Sequence, residues 1–280
     1  MEVLTKNTGL LAINTKQIRK LLVDFLSDEI RNVGSERGVV GLSGGVDSAV
    51  SCFLAVEALG KRNVLAVLMP YKASSPQSLD DAQLVVKQLG IRSEIVDITP
   101  MVDAFGASAS HLDRIRKGNI MARARMIVLY DRSAREKGLV VGTGNKTEIL
   151  LGYTTHFGDD ACGVNPVGDL YKSQLWELAK ELGVPENIIR KIPTADLWEG
   201  QTDEGELGVS YRKVDRLLFH LVDERKSDKE LRLLGFDRAL MEKVKGLIQR
   251  NQFKRRPPVI AKVSYRTVNV DFRYARDWGT

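Results

Sequence analysis

Residues 39–48 read Val39-Val40-Gly41-Leu42-Ser43-Gly44-Gly45-Val46-Asp47-Ser48. The apolar start of this stretch is typical of a buried strand, and the mostly apolar residues after it, Ala49 to Ala55, are typical of a helix. Glycines between a strand and a helix let the backbone turn sharply and approach a ligand closely. The stretch therefore predicts a strand, a glycine-rich loop and a helix in that order, which is a unit of an α/β fold.

Apolar runs and helical patterns alternate along much of the chain. Further strands are predicted at Val64–Met69, Ile95–Ile98 and Leu139–Val141, with helices at about 48–59, 78–90 and 112–137 and an amphipathic first helix from Ile18 to Ile30. This alternation favours an α/β fold, a parallel sheet with helices on both faces, which binds ligands beyond the carboxyl ends of its strands. After residue 165 the pattern becomes mostly helical through about 250, which predicts a C-terminal helical extension.

The composition has a modest basic excess, which favours anionic partners if it is gathered on one surface. The chain has 280 residues, of which 43% are hydrophobic, and 42 Lys and Arg against 36 Asp and Glu give a net charge of +6. Such an excess favours partners such as nucleotide phosphates. The strongest basic cluster, Lys254-Arg255-Arg256, has no interleaved aromatic residues, so we expect no nucleic-acid partner.

Three further features bear on the location of the protein. No apolar stretch is long enough to cross a bilayer, so we expect no membrane association. Met1–Lys6 lacks a basic run followed by an apolar core, which would indicate a secretory signal. The two cysteines, Cys52 and Cys162, form neither a disulfide framework nor a zinc cluster. We therefore expect a cytoplasmic protein.

The glycine-rich loop has the chemistry of an anion site. Backbone N–H groups in such a turn point inward, and a helix N-terminus adds partial positive charge. Ser43 and Ser48 add hydroxyl donors, and Asp47 can hold a magnesium ion that bridges phosphates. The Lys-Ser or Lys-Thr pair of a Walker-type loop is missing. The loop resembles instead the PP-loop of the ATP pyrophosphatase family, in which pyrophosphate leaves when a substrate oxygen attacks the α-phosphate of ATP.

More of the chain resembles one branch of that family, the ammonia-dependent NAD synthetases. The resemblance rests on Leu139-Val140-Val141-Gly142-Thr143-Gly144-Asn145-Lys146-Thr147-Glu148, on the helix start at Leu170 to Trp176, and on the segment Pro193 to Gly208. It spans nearly the whole chain to about Pro258, with the motifs in the family's order. It implies an adenine nucleotide α-hydrolase-like, Rossmann-like fold in one domain, 1–280, with a nucleotide-binding core at about 1–165 and a helical part and tail at about 166–280.

The resemblance also implies roles for individual residues. Asp47 and Lys172 are expected to act in catalysis, and Asp47 and Glu148 to hold Mg²⁺. Lys172 lies near the positive end of a helix dipole, where a cation is disfavoured unless an anion is close, and the ATP phosphates supply that anion. The residues expected to bind ATP are Gly41, Leu42, Ser43, Gly44, Gly45, Val46, Asp47, Ser48, Thr143, Lys172 and Thr194.

The family's reaction defines the expected substrates. Its members adenylate the nicotinate carboxylate of deamido-NAD with ATP and let ammonia displace AMP, and they are homodimers. Arg123, at the edge of an apolar helix face between Ile120 and Ile127, matches a dinucleotide-contacting Arg. Neither cysteine lies in a recognisable glutaminase motif, so free ammonia is the expected nitrogen donor, with a separate glutaminase subunit as the alternative. The residues expected to bind deamido-NAD are Arg123, His156, Phe253 and Lys254.

Three positions on the deamido-NAD side depart from the family's pattern. His156 replaces a phosphate-binding Lys, Gly163 replaces a substrate-contacting Asp, and Phe253 replaces the His of a His-Lys pair. These changes leave open a related carboxylate substrate amidated by the same steps. Two further hypotheses are a tRNA-modifying or sulfur-transferring relative, for which no persulfide cysteine motif or tRNA module is visible, and a non-catalytic adenine-nucleotide sensor.

Two stretches have the composition of mobile loops. They are Lys72–Gln77 and Pro193–Val209, which carry Ser, Pro, Gly and acidic residues. Loops of this kind beside a nucleotide site often act as lids, although ordinary surface loops have the same composition. Some strand character is also predicted at Thr267–Phe272.

Overall fold

The computed structural model describes residues 9–109, 111–198 and 200–268. Within these ranges, four parallel strands form one sheet in the order β3-β2-β1-β4. The strands are β1 (Gly38–Gly41), β2 (Val64–Leu68), β3 (Arg92–Ile95) and β4 (Leu139–Val141). Gly38 pairs with both Val64 of β2 and Leu139 of β4. The strand before the glycine-rich loop is therefore held on both edges.

Helices account for most of the remaining regular structure. They are α1 (Thr15–Asn32), α2 (Val46–Leu59), α3 (Pro76–Leu89), α4 (Thr99–Ala107), α5 (Arg114–Glu136), α6 (Lys146–Leu151), α7 (Lys172–Leu182), α8 (Glu186–Arg190), α9 (Asp203–Leu207), α10 (Tyr211–Leu218), α11 (Asp228–Leu233) and α12 (Arg238–Arg250). A π-helical turn at Phe219–Asp223 follows α10, and short 3-10 helices lie at Lys61–Asn63 and Gln252–Arg255.

The two faces of the sheet are covered by different helices, because successive residues of a strand point to opposite sides. Val40 of β1 and Ala66 of β2 belong to a core that also takes in α1, α2 and α7. Val39 and Leu65 lie in a second core with apolar residues of α4 and α5. The predicted α/β class, a parallel sheet with helices on both faces, is confirmed.

The C-terminal helices have a core of their own. Leu217 and Leu218 of α10, Leu231 of α11 and Val244 of α12 are almost fully buried in one cluster. Trp176 of α7 packs against both this cluster and the core beneath α1 and α2. The predicted helical extension is therefore present, and it adjoins the sheet layer through α7.

The carboxyl ends of β1 and β4 define the place where a ligand can bind. β2 pairs with one edge of β1 and β4 with the other, so the strand order reverses at β1. In open parallel sheets, ligands bind beyond the strand ends at such a switch point. Beyond β4, Val141 forms a further parallel bridge with Val164. The loop after β1 and the residues after β4 consequently lie at one edge of the sheet.

Two details predicted from the sequence are wrong. The third strand covers Arg92–Ile95 rather than Ile95–Ile98. It is an edge strand, and its first residues are polar, so they give no apolar signal in the sequence. The N–H of Val96, just after the strand, still donates to the Leu68 carbonyl oxygen. Ile127 does not belong to the apolar face of α5, since its side chain is 54% exposed.

Helix α4 was not predicted. Of the predicted strand Thr267–Phe272, residues 269–272 lie outside the described residues.

Candidate active site

The glycine-rich loop is held in shape by its own serines. The N–H of Ser43 donates to Oγ of Ser48 over 3.2 Å, and this hydroxyl donates to the Gly45 carbonyl oxygen over 3.0 Å. Gly44 has a φ of +78°, and a Cβ there would lie 2.1 Å from the backbone oxygen of Ser78. Glycine is therefore required at position 44, both for backbone conformation and for the close approach of α3.

Lys172 lies between two carboxylates at the end of this loop. Its side chain is 2% exposed, its Nζ donates to Oδ2 of Asp47, and it lies 3.7 Å from Oε1 of Glu148. Asn145, which caps α6, donates from Nδ2 to Oδ1 of Asp47 over 2.8 Å. The four side chains come from α2, α6 with its cap, and α7, so the fold assembles them from three separate segments.

The electrostatics of this cluster favour an additional cation. Burial, together with the charge of Asp47, raises the pKa of Glu148 to about 8. Burial alone would lower the pKa of Lys172, but the Asp47 and Glu148 carboxylates together raise it. The single Lys172 ammonium therefore does not hold the pKa of Glu148 at its ordinary value, and a second cation at this position would favour the ionised carboxylate. Mg²⁺ in proteins is usually held by one or two carboxylates together with substrate phosphates, so Asp47 and Glu148 fit such an ion.

A third carboxylate, which was not among the predicted site residues, lies beside this cluster. Asp203 is 5% exposed and accepts hydrogen bonds from the hydroxyls of Tyr211, at 3.1 Å, and Tyr153, at 3.3 Å. Burial raises its pKa, while the charge of Lys172 opposes that shift. The acidic run after Thr202 was visible in the sequence, but only tertiary packing brings Asp203 toward Lys172.

A cavity of about 1080 Å³ opens beyond the carboxyl ends of the strands. Its floor is the loop, and segments after β2, β4 and α8 form its walls. The predicted residues that line it are Gly41, Leu42, Ser43, Gly45, Val46, Asp47, Ser48, Thr143, Glu148, Lys172, Thr194 and Lys254. The structure thus brings nearly all the predicted ATP-binding residues together, and Gly44 lies within the same loop.

The two predicted lid stretches contact each other at the cavity. The N–H of Ser75, in the first stretch, donates to Oδ2 of Asp196, in the second, over 3.1 Å. Within the second stretch, the N–H of Asp203 donates to the Pro193 carbonyl oxygen over 3.0 Å. Thr194 and Asp196 both line the cavity. The stretches therefore occupy the position that a lid requires, while their mobility stays a prediction.

Arg125, rather than Arg123, faces the cavity from α5. Arg125 lines the cavity, its Nε donates to the Met69 carbonyl oxygen over 3.1 Å, and burial lowers its pKa. Arg123 is exposed outside the cavity lining, and its Nη2 donates to the backbone oxygen of His156 over 3.1 Å. Two arginines that are close together on α5 therefore lie on different surfaces, one in the cavity and one outside it. Their spacing in the sequence alone did not reveal this difference.

The predicted deamido-NAD residues divide between the cavity and its outer side. Lys254 lines the cavity and donates from Nζ to the carbonyl oxygens of Gly152 and Thr154 over 2.7 and 2.6 Å. The other three lie outside the cavity lining, with Phe157 beside them. We call this group the outer cluster, and its members are Arg123, His156, Phe157 and Phe253.

The outer cluster is aromatic and largely exposed. The His156 ring lies 3.8 Å from the Phe157 ring and 6.1 Å from the Phe253 ring, measured between centroids. Its Nδ1 is 2.8 Å from Oδ2 of Asp160. Phe157 and Phe253 are 56% and 61% exposed. Gly163 does not line the cavity, and a Cβ there would meet the Leu139 side chain at 3.1 Å.

Across the three described ranges, every helix is too short or too polar to cross a membrane. The same part of the chain has no cluster of three or more His, Cys, Asp or Glu side chains arranged around one metal position. Mg²⁺ in proteins usually keeps several waters besides one or two carboxylates and substrate phosphates, so the pair Asp47 and Glu148 fits such an ion.

Comparison with known proteins agrees with this geometry. The model of the NAD synthase family matches residues 18–258. The NH(3)-dependent NAD(+) synthetase of Chlorobium phaeobacteroides is 54% identical over 272 residues, which cover 97% of this chain and 98% of that protein.

Solved structures of similar proteins have the same fold. The NMN synthetase from Francisella tularensis matches with a TM-score of 0.81 and 36% identity, over 89% of this chain and 99% of that one. The NH3-dependent NAD synthetase from Campylobacter jejuni, in complex with the nitrate ion, matches with a TM-score of 0.77 and 37% identity, over 90% and 100% of the two chains. From its sequence, its fold and the residues at its cavity, this chain belongs to the NAD synthase family.

Proposed function

We propose that this chain is a carbon–nitrogen ligase that amidates deamido-NAD with ammonia, using ATP and releasing AMP and pyrophosphate. The observation that carries the proposal is the meeting of Asp47, Glu148 and Lys172 at the end of the glycine-rich loop, inside a cavity large enough for a nucleotide. Membership of the NAD synthase family supports the choice of substrate.

The first step is the transfer of AMP to the substrate. An oxygen of the nicotinate carboxylate attacks the α-phosphorus of ATP, and the bond from that phosphorus to the pyrophosphate oxygen breaks. The loop and the Lys172 ammonium bind the pyrophosphate and stabilise the charge that develops on it. Bound at Asp47 and Glu148, Mg²⁺ would neutralise part of this charge. Thr143 and Thr194 contact ATP from the strand end and the lid.

The second step replaces AMP with nitrogen. Ammonia attacks the acyl carbon, the bond between that carbon and the AMP oxygen breaks, and the amide loses a proton to the surrounding groups or water. Adenylation makes this possible because AMP is a far better leaving group than the free carboxylate oxygen. Free ammonia from the cytoplasm is the nitrogen source in this proposal.

The acceptor side extends outward from the cavity. Lys254 contacts deamido-NAD at the cavity wall, and Arg123, His156 and Phe253 contact it in the outer cluster. Arg123, Ile127 and Tyr130 share one face of α5, since residues three and four apart are neighbours on a helix. Ile127 and Tyr130 are 54% and 41% exposed. We propose that a second copy of the chain covers this face in a homodimer, which would place Arg123 at the subunit boundary.

A second candidate acceptor is the corresponding mononucleotide. One relative of known structure bears the name NMN synthetase, and this chain departs from the family's pattern at His156, Gly163 and Phe253. The outer cluster has His156 where the family's pattern has a Lys, and Phe253 where it has a His. The adenylation and amidation steps are the same for either acceptor, so the ATP side does not distinguish them.

The test is product formation by the purified protein with Mg-ATP and ammonium. AMP and NAD are expected together when deamido-NAD is supplied and neither when it is left out. Nicotinate mononucleotide, supplied at the same concentration, gives the comparison of kcat/KM that ranks the two acceptors. A folded protein that binds ATP and amidates neither compound would overturn the proposed function.

A further inference from the structure

A largely buried ion pair lies beside the glycine-rich loop, and its cation, Lys191, lines the cavity. Asp81 of α3 is 2% exposed, and its Oδ2 is 2.9 Å from Nζ of Lys191. Its other oxygen accepts hydrogen bonds from Gln77, at 2.8 Å, and Asn187, at 2.7 Å. Three donors from α3, α8 and the segment after α8 thus fix one carboxylate, and the carboxylate in turn fixes the Lys191 ammonium.

The Lys191 ammonium contacts the loop through a backbone carbonyl. Its Nζ is 3.4 Å from the Gly44 carbonyl oxygen and 3.1 Å from Oγ of Ser78. The N–H of the same peptide group belongs to Gly45 and donates to Oγ of Ser43 over 3.3 Å, and Ser43 lines the cavity. Because a trans peptide is planar with its C=O and N–H opposed, anchoring the carbonyl on Lys191 directs the N–H toward Ser43 in the loop.

Hydrogen bonds to Lys191 and Ser43, rather than bulky neighbouring side chains, hold the orientation of this peptide plane. Rotation of a peptide plane changes ψ of the residue before it and φ of the residue after it, and both residues here are glycines. Glycine accepts positive and negative φ almost equally, so steric exclusion does not prevent the plane from reversing. A reversed plane would present a carbonyl oxygen to the phosphates where an N–H donor is needed.

We propose that Lys191, held by Asp81, is a positioning residue that keeps the Gly44–Gly45 peptide oriented for binding the pyrophosphate part of ATP. The inference rests on the proposed function, because it takes the loop to be the phosphate site. Lys191 acts through the Gly44 carbonyl, whereas Lys172 acts beside the carboxylates of Asp47 and Glu148. Pro193, where the lid stretch begins, follows Lys191 by two residues, so the anchor also joins the lid to the loop.

The test measures binding of inorganic pyrophosphate and of AMP, each with Mg²⁺, by calorimetry. Lys191→Met should weaken pyrophosphate binding about tenfold, the typical effect of losing a hydrogen bond from a charged group, and leave AMP binding within about twofold. Lys191→Arg should restore part of the loss. Asp81→Asn should weaken pyrophosphate binding as well, because Lys191 is then no longer held. Lys213→Met, which removes a surface ion pair with Asp237, is the matched control.

Each contrary result has a separate meaning. Unchanged pyrophosphate binding in Lys191→Met would overturn the inference, and so would an equal loss of AMP and pyrophosphate binding. Asp81→Asn with full pyrophosphate affinity would show that Lys191 is a direct phosphate ligand instead. Should Lys191→Met or Asp81→Asn fail to fold, Asn187→Ala gives a milder test through the same carboxylate. If the wild-type protein binds neither compound, the proposed function fails before this inference is reached.

Discussion

The loop side of the cavity and the outer cluster differ in how completely their charged groups are engaged. Lys172, Asp47 and Glu148 are largely buried and contact one another through ion pairs. Arg123 and Phe253, by contrast, are exposed, and the guanidinium of Arg123 donates to the backbone oxygen of His156. The comparison separates a site whose charged groups the fold itself holds together from a surface whose side chains are largely exposed.

Charged groups that are already held in place stabilise a transition state more than mobile ones do, because they need not rearrange when charge develops on the substrate. Loss of a loop-side group should therefore lower turnover strongly. Loss of an outer-cluster group should mainly weaken binding of the acceptor, since the exposed side chains are screened by water and salt. Four substitutions test this contrast, in decreasing order of expected effect.

Asp47→Ala should lower kcat by at least about a hundredfold to a thousandfold, the effect of removing a preorganised electrostatic group. The substitution removes a proposed magnesium ligand and leaves the Lys172 ammonium without its hydrogen-bonded carboxylate. AMP release measured at saturating substrates gives the rate, and thermal unfolding checks the fold. Asp24→Ala, at a surface ion pair with Lys20, is the control. Wild-type turnover in Asp47→Ala would contradict the assignment of the loop.

Lys172→Met should lower kcat about a hundredfold, because the pyrophosphate would lose a buried cation. The apolar side chain keeps the volume of the Lys stem, which limits damage to packing. Steady-state kinetics with varied ATP separates kcat from KM. Lys146→Met, on α6, is the comparison variant, and it breaks partly exposed ion pairs with Asp169 and Asp223. If Lys172→Met and Lys146→Met lower kcat to the same extent, Lys172 has a structural role only.

Arg123→Ala should raise the KM for deamido-NAD about tenfold and leave the KM for ATP nearly unchanged, since one charged contact to the acceptor is lost. The measurement is initial velocity with each substrate varied in turn. Arg135→Ala, on the same helix and paired with Glu94, controls for a change in net charge. Equal effects on both substrates would mean that Arg123 does not belong to the acceptor side.

Phe253→Ala should have the smallest effect, a rise of about threefold in the KM for deamido-NAD, in line with the worth of one aromatic contact. Its ring meets the His156 ring edge-on, so the substitution also loosens His156. Leu233→Ala, at a side chain 80% exposed, is the matched truncation. A loss of kcat in Phe253→Ala as large as that in Lys172→Met would remove the distinction between the two regions.

Much of the fold could be predicted because its signals are local. Buried strands such as Val64–Leu68 form continuous apolar runs, and the glycine loop stands between a strand and a helix. The edge strand at Arg92–Ile95 carries polar residues that face solvent, so its start gives no apolar signal. Family membership and the main functional prediction agree with the comparisons.

The rest of the site depends on contacts between distant segments. Asp203 reaches the neighbourhood of Lys172 through the two tyrosines that hold it, and nothing in its local sequence encodes that approach. Arg125 and Arg123 are two residues apart, and only the packing of α5 decides which one faces the cavity. The cytoplasmic location, the domain boundary near residue 165 and the individual site roles stay predictions.

The position of Trp198 gives the protein an optical signal. Its ring borders the cavity within the lid stretch, and the guanidinium carbon of Arg114 lies 5.4 Å from the ring centroid. Indole emission responds to nearby charge and to water, so lid closure over a nucleotide should change its intensity and wavelength. Trp176 is packed between two cores and should give a nearly constant background. With Trp278→Phe, which removes the third tryptophan of the chain, stopped-flow fluorescence could time closure directly, and Trp198→Phe should abolish the signal.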